Sequence, residues 1–412
     1  MPSYSVAIAG AGPAGLSAAL LLHRAGHRVT IFERFHEPQP IGSGLMLQPT
    51  GLAVLNELGL ASRILSLGHR IDRLFGRVVP SQRVILDVHY RNLQEGLFGV
   101  AVHRAALFGP LFNAVLKDNI PLETGKTIAG AEDASGGKLM LVFDDGSQAG
   151  SFDLVIDALG MRSALACRFN GSARQELAYG ALWTTLPWPH GHFREHALEQ
   201  RYEKASVMIG VLPIGRRIES EVEQTAFFWS IRPRDYEVWL AAGLDAWKSR
   251  VRSLWPETEP LLNLIHDPAQ MTLARYSHHT LANPVAGRLV AIGDSAHAAS
   301  PQLGQGANMA MLDARALAVA LRDSGDVATA LARYAALRRW HIRFYQYLSA
   351  GFTPFYQSDS RVLPPLRDWI VAPSTRLPII RGFVASMVAG TIMDPRSKLD
   401  LDTRILGLPS RN

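Results

Sequence analysis

The chain opens on an apolar run, Val6-Ala7-Ile8-Ala9, broken by three glycines at Gly10, Gly12 and Gly15. From Pro13 to about Ala25 the apolar positions take a helical period, with Leu16, Leu20 and His23 on one stripe and Ala19 and Leu22 beside it. Gly26 is the stop. A second apolar run, Val29-Thr30-Ile31-Phe32, ends on an acid, Glu33, with Arg34 after it. Strand, glycine turn, helix and strand in this order predict the nucleotide-binding unit of a parallel sheet.

The pattern then loosens into a loop punctuated by Pro38, Gly42 and Gly44, and a helix is predicted over Gly51 to Leu58. Residues 71 to 90 alternate as strands. Val100 to Arg104 is a strand end leading into a helix to about Lys117, and residues 121 to 149 read as a β-meander. Asp153-Leu154-Val155-Ile156-Asp157 is a buried strand returning to the parallel sheet.

From Leu177 to about Ile231 the texture changes to long antiparallel strands, with Trp183, Trp188, Trp229 and Trp239 in or near them. A core between sheet and helices explains these aromatics; a flat apolar ligand pocket is the sharper alternative. Helices follow from Tyr236 to about Leu254 and on to Ile265. Arg288 to Ile292 is again a strand, and a helix runs to Leu321. Val327, Leu331, Tyr334, Leu337, His341, Phe344 and Leu348 then recur on one helical face, which makes His341 a core histidine. The last part, with Pro364, Pro365, Pro373 and Pro378, reads as short helices packed back on the body.

The fold expected is α/β: a Rossmann-type parallel sheet, an inserted antiparallel-sheet substrate domain, and C-terminal helices. Its parts would be residues 1–176 and 276–325 for the nucleotide-binding domain, 177–275 for the substrate domain and 326–412 for the helical region.

Composition narrows the function. The 412 residues are 48% hydrophobic, enough for a sizeable core, and carry a formal net charge of +6 with no dense basic run of the kind a nucleic-acid arm shows. The one cysteine, Cys167, allows neither an internal disulfide nor a cysteine metal cluster and suits a reducing compartment. With no leader pattern at the start and no apolar stretch long enough to span a bilayer, a cytoplasmic protein is expected. A basic, lipophilic surface would also let such a chain dock on a membrane.

The chemistry sits in two places. In the first, Gly10 makes the tight turn, Gly12 lets a pyrophosphate approach the backbone, and Gly15 lets helix and strand pack closely. The phosphates would meet the free N–H groups around Pro13 and Ala14, at the positive end of the helix. Glu33, 18 residues beyond Gly15, would accept bonds from a ribose hydroxyl. In the second, Gly293-Asp294 follows a strand, and Pro301-Gln302-Leu303-Gly304-Gln305-Gly306-Ala307-Asn308 leads into a helix. Asp294 can bond a sugar-alcohol hydroxyl. Gly304 and Gly306 let backbone lie against a flat ring, and Pro301 fixes the loop. The cofactor long enough to touch both places is FAD.

These motifs resemble those of the group A flavoprotein monooxygenases with the para-hydroxybenzoate hydroxylase fold, over roughly residues 4 to 350. The resemblance is carried by Gly10 to Gly15 with Glu33, by His103-Arg104, by residues 153 to 163, and most specifically by Gly293-Asp294 through Asn308, where Ser295 replaces an alanine. It implies that Arg104 contacts FAD, that Gln48 flanks the flavin ring, and that Gln305, Ala307 and Asn308 belong to the ring loop. It further implies reduction by NAD(P)H, a flavin hydroperoxide, and hydroxylation of an aromatic or heteroaromatic small molecule by molecular oxygen. The catalytic base is left open among such residues as Tyr179, His190, Arg216 and Arg232.

The chain departs from the family at Asp157-Ala158-Leu159-Gly160-Met161-Arg162-Ser163, where the usual Gly-Ala-Asp-Gly has lost its acid to Leu159. Asp157 could supply that carboxylate from a shifted place. The change leaves two alternatives: the same fold fed with flavin reduced elsewhere, by a separate flavin reductase, or acting as a reductase; and a non-catalytic flavin-fold binding protein.

Overall fold

The computed structural model describes residues 2–39, 42–169, 174–218, 220–393 and 396–401. Its centre is a sheet in which Leu289–Ala291, Leu154–Asp157, Ser5–Ala9, Arg28–Phe32 and Leu122–Glu123 run parallel in that spatial order, with Val285–Ala286 antiparallel at one edge. Ser5–Ala9 lies in the middle, so both its faces are covered, and the run reads as continuously apolar rather than alternating.

The first helix, Pro13–Arg24, is buried from Ala14 through Leu22. It has no wet face because the helices Arg104–Lys117 and Gly306–Arg322 cover the sides the sheet does not. Gly15 makes the packing against the first strand: a Cβ there would stand 2.0 Å from the Gly10 carbonyl oxygen. Gly10 itself has φ +102°, a conformation glycine adopts freely and other residues resist.

A seven-stranded sheet forms the second layer, in the order Thr272–Ala274, Gly180–Pro187, Glu223–Ile231, Val207–Arg216, Ala197–Glu203, Arg73–Val78 and Val84–His89. Two of these strands come from residues 73 to 89, ahead of the segment 177–275. They dock through the one parallel pairing in this sheet, between Arg73–Val78 and Ala197–Glu203. The strand Ala197–Glu203 has no counterpart in the hydrophobic pattern. It is central yet polar, and Glu199 is buried there by accepting from Arg194 Nη1 at 2.8 Å.

The four tryptophans of this region divide. Trp188, Trp229 and Trp239 join Trp247 and Trp255 in the core between the sheet and the helix Tyr236–Leu254. Trp183 points to the other face, its ring 4.5 Å from that of Phe228. Residues 122–123, expected in the meander, instead edge the parallel sheet, and the meander itself is Ile128–Ala134, Lys138–Phe143 and Gln148–Phe152.

The long helix Val327–Tyr356 buries His341, whose Nδ1 accepts from Arg338 Nη1 at 3.0 Å. Short helical segments from Leu363 to Ser374 and the helix Pro378–Ala389 then fold back over the strand Val84–His89. The end of the chain beyond residue 401 lies outside the described residues.

Candidate active site

The two glycine loops, separated by 278 residues from Gly15 to Gly293, meet at Gly293. A Cβ on that residue would lie 3.3 Å from Ala14 Cβ and 3.1 Å from Ala310 Cβ, so the start of the first helix and the helix Gly306–Arg322 close around it. Gly293 has φ +59°, and its N–H donates to Asp313 Oδ2 at 2.9 Å. Both helices thus present their N-terminal ends, with unpaired N–H groups, to one region.

The tail end of that region is built by Gly12 and Glu33. A Cβ on Gly12 would meet nothing within 4 Å, which is the open space a pyrophosphate needs. Pro13 occupies the first helical position, where its missing N–H costs nothing. The Glu33 carboxylate accepts from the Ala11 N–H at 2.8 Å and the Phe35 N–H at 3.1 Å. It holds the glycine turn in shape and has lone pairs to spare. Arg34 is exposed, its guanidinium 4.5 Å from the Phe35 ring centre.

Asp294 is recessed among protein atoms yet open to solvent. Those surroundings raise its carboxyl above the ordinary range, while His297 and Arg104 pull the other way. Arg104 begins the helix Arg104–Lys117 and lies against Gly42, where a Cβ would come 2.8 Å from its Nε. His103 caps that helix by accepting the Ala105 N–H at 3.1 Å; burial, with Arg217 and Arg104 beside it, lowers its pKa to about 4, so it stays a neutral acceptor.

The ring end is built by Gln48, Gly304 and Asn308. Tyr90 donates to Gln48 Oε1 at 2.6 Å, and a Cβ on Gly304 would lie 3.5 Å from Gln48 Nε2. The amide nitrogen of Gln48 is therefore turned to the loop. Gly304 is left-handed, closing the turn that begins at Pro301. The helix behind starts at Gly306, two residues before Asn308, because Asn308 is already folded inward onto the strand Gly44–Leu47. Gly306 is exposed and Ala307 half-buried at the helix start. Gln305 turns away, its Nε2 donating to the Val388 carbonyl at 2.7 Å.

Asp157 is drawn inward. It is fully buried and accepts from Ser163 Oγ at 2.6 Å, Ser295 Oγ at 3.0 Å and the Leu159 N–H at 3.1 Å. Its burial raises its pKa and these bonds lower it. It fixes the two loops to each other and offers no open carboxylate to a ligand. Leu159 packs half-buried against the neighbouring core.

Sequence reasoning did not find the ion cluster beneath this floor. Asp313 accepts from His297 Nε2 at 2.5 Å, Arg338 Nε at 2.7 Å and Gly293 N–H. Burial works to raise its pKa, but His297 and Arg338 outweigh it and hold the carboxyl down to about 2. The one signal was an acid, Asp313, which with Arg315 interrupts the apolar run Met309 to Leu321. On the other wall, Trp183 Nε1 donates to Tyr276 Oη at 2.7 Å, and Ser43 Oγ pairs with Thr185 Oγ1 at 2.9 Å, so this face of the large sheet is joined to the cleft. Each of the candidate bases has an acidic partner. Tyr179 and Arg232 share Asp359, Arg216 pairs with Glu221, and His190 lies 3.8 Å from Glu223.

Open space at Gly12, an accessible acid at Asp294 and two helix N-termini facing one cleft are the features an extended flavin dinucleotide requires, and the residues fit FAD. The family model for the FAD binding domain matches residues 3–98 and 247–341. An aurachin C monooxygenase/isomerase of Stigmatella aurantiaca is 27% identical over 347 residues, covering 81% of this chain and 85% of that protein. An FAD-dependent urate hydroxylase of Klebsiella pneumoniae is 26% identical, covering 82% and 86%. The solved structure of Klebsiella pneumoniae HpxO complexed with FAD and uric acid superposes with a TM-score of 0.78 at 23% identity, over 94% of this chain and 97% of that one. The chain is thus similar to FAD-dependent monooxygenases over most of its length, and its FAD binding domain match falls on the two segments that carry the glycine loops.

Proposed function

We propose that this protein binds FAD along the cleft and hydroxylates an aromatic or heteroaromatic small molecule with molecular oxygen, drawing electrons from NAD(P)H. The observation that carries this reading is the meeting of both loops at Gly293, with open space at Gly12 and an exposed carboxylate at Asp294. FAD, when bound, supplies the redox chemistry and oxygen activation. In balance, NAD(P)H gives two electrons, one oxygen atom enters the ring and the other leaves as water.

The protein's part is binding and exclusion. Gly10 to Gly15 and the first helix hold the pyrophosphate, Glu33 the ribose, and Asp294 the ribityl chain. Gln48, Gly304, Gly306 and the helix N-terminus behind them line the ring, the N-terminus favouring negative charge that develops there. Trp183, Phe228 and Tyr276 offer a flat apolar wall with one hydroxyl, suited to an electron-rich ring and to keeping water out. The test is consumption of NAD(P)H and oxygen stimulated by a panel of phenols, pyridines and quinolones, with labelled oxygen traced into product. Flavin-loaded protein that oxidises NAD(P)H but labels no ring compound contradicts the reading.

Leu159 supports a second reading of the electron source. With Asp157 buried, residues 157 to 163 present no open acid, so flavin reduced by a separate reductase would replace NAD(P)H. Product from chemically reduced FAD, with none from NADH or NADPH, selects this reading.

A further inference from the structure

We propose that the C-terminal strap, residues 361 to 383, is an interfacial anchor that docks this protein on an anionic lipid surface. The strap is built inside out. Its buried side carries an arginine, Arg367, fully shielded and donating to the Phe355 carbonyl at 2.7 Å and to Asp368. Its outer side carries Val362, Leu366, Trp369, Ile370, Leu377, Ile379 and Phe383; Val362 is 74% exposed, Trp369 66%, Ile370 62% and Ile379 87%. Spacings of three and four place Val362, Leu366, Trp369 and Ile370 on one helical stripe, and Ile379 and Phe383 on another. Single exposed apolar residues need no explanation, but seven within 22 positions mark a docking site.

Charge selects the occupant. Arg361, Arg376 and Arg381 are exposed within the same segment, and none has a carboxylate partner among the described residues. Arg83 adds a guanidinium stacked 3.4 Å from the Trp369 ring centre. The acid of the strap, Asp368, is tied to Arg367. A second copy meeting this face by two-fold symmetry would set arginine against arginine with no exposed acid between them. An anionic lipid surface takes both features at once: the apolar side chains enter the acyl boundary, the arginine stems snorkel and their heads meet phosphates. No helix among the described residues is long and apolar enough to cross a membrane, so the strap would lie in the interface. The helix Pro378–Ala389, which carries Ile379 and Phe383, continues past the strap to Val388, whose carbonyl accepts from Gln305 of the ring loop.

The test is co-sedimentation of the full-length, FAD-loaded protein with vesicles of phosphatidylcholine alone or with about one third phosphatidylglycerol. Binding is expected to the anionic vesicles at low salt, falling about a hundredfold when Arg361, Arg376 and Arg381 are all changed to serine. The triple variant Trp369→Ser, Ile379→Ser, Phe383→Ser should lose at least about tenfold, and both variants should keep their bound flavin and melting temperature. No binding to either vesicle overturns the proposal, as does binding that neither variant alters. A concentration-dependent dimer that the apolar variant abolishes also overturns it, by making the patch an interface between copies.

Discussion

Asn308 Oδ1 accepts the backbone N–H of Gln48 at 2.8 Å, across 260 residues of sequence. The same amide donates from Nδ2 to the Gly304 carbonyl at 2.9 Å and the Met46 carbonyl at 3.1 Å. One buried side chain therefore sets the separation between the ring loop and the strand that carries Gln48. Asn308→Ala should leave these three backbone groups unmet and cost on the order of 2 kcal/mol. Its melting temperature should fall and its FAD dissociation constant rise, the two measured by thermal scan and flavin titration; a variant that melts and titrates as the parent does would contradict the role.

The glycines of the first turn should separate fold from ligand. Gly12 has open space around a Cβ, so Gly12→Val should fold normally and purify without flavin. Gly15 has none: a Cβ would collide with the Gly10 carbonyl at 2.0 Å. Gly15→Ala should lose at least about 2 kcal/mol through forced separation of helix and strand. Circular dichroism and flavin absorbance on the two proteins distinguish these outcomes.

Two aspartates of one helix–loop unit should behave oppositely. Asp294 faces the cleft, so Asp294→Ala should weaken FAD retention and leave urea stability nearly unchanged. Asp313 is buried with Arg338, and Asp313→Ala leaves that guanidinium without its carboxylate. A loss of about 3–5 kcal/mol is expected, seen as a lower urea midpoint with or without FAD. Equal destabilisation by both changes would contradict the division.

Buried neutral histidines make the fold acid-sensitive. His341 is held down to about 3 by burial and by Arg338, and His103 to about 4 by burial and two arginines, against 6.5 unfolded. Below pH 6.5 the unfolded chain takes up protons that the folded protein refuses, so stability falls with pH toward about 4. Each such histidine contributes roughly 2 kcal/mol of loss between pH 6.5 and 5. Asp313, held near 2, adds stability that is lost only as pH falls from about 4 toward 2. Urea midpoints at pH 7.5, 6 and 5 should decline, and His341→Gln should flatten the decline.

Much of this was legible in the chain because it depends on local rules. The first glycine turn is a short-range motif whose period changes from strand to helix, and Gly293 through Asn308 repeats that grammar. What escaped was what depends on tertiary partners. The strand Ala197–Glu203 is polar because Arg194 satisfies Glu199 and Trp255 stacks on Arg201, its ring centre 4.3 Å away. Asp157 looked free to meet a ligand, since nothing in the sequence says that Ser163 and Ser295 converge on it. Trp183 could not be told from Trp229 without knowing which face of the sheet each occupies. The cluster of Asp313, His297 and Arg338 joins three elements, and spacing within any one of them carries no trace of the others.

The central claim is that one FAD molecule is held at both ends by loops that meet at Gly293. Titration of flavin-free protein with FAD, followed by flavin fluorescence, tests it most directly. One equivalent is expected to bind, with affinity reduced independently by Gly12→Val at the tail and by Asp294→Ala toward the ring. No binding, or binding that neither substitution weakens, would contradict it.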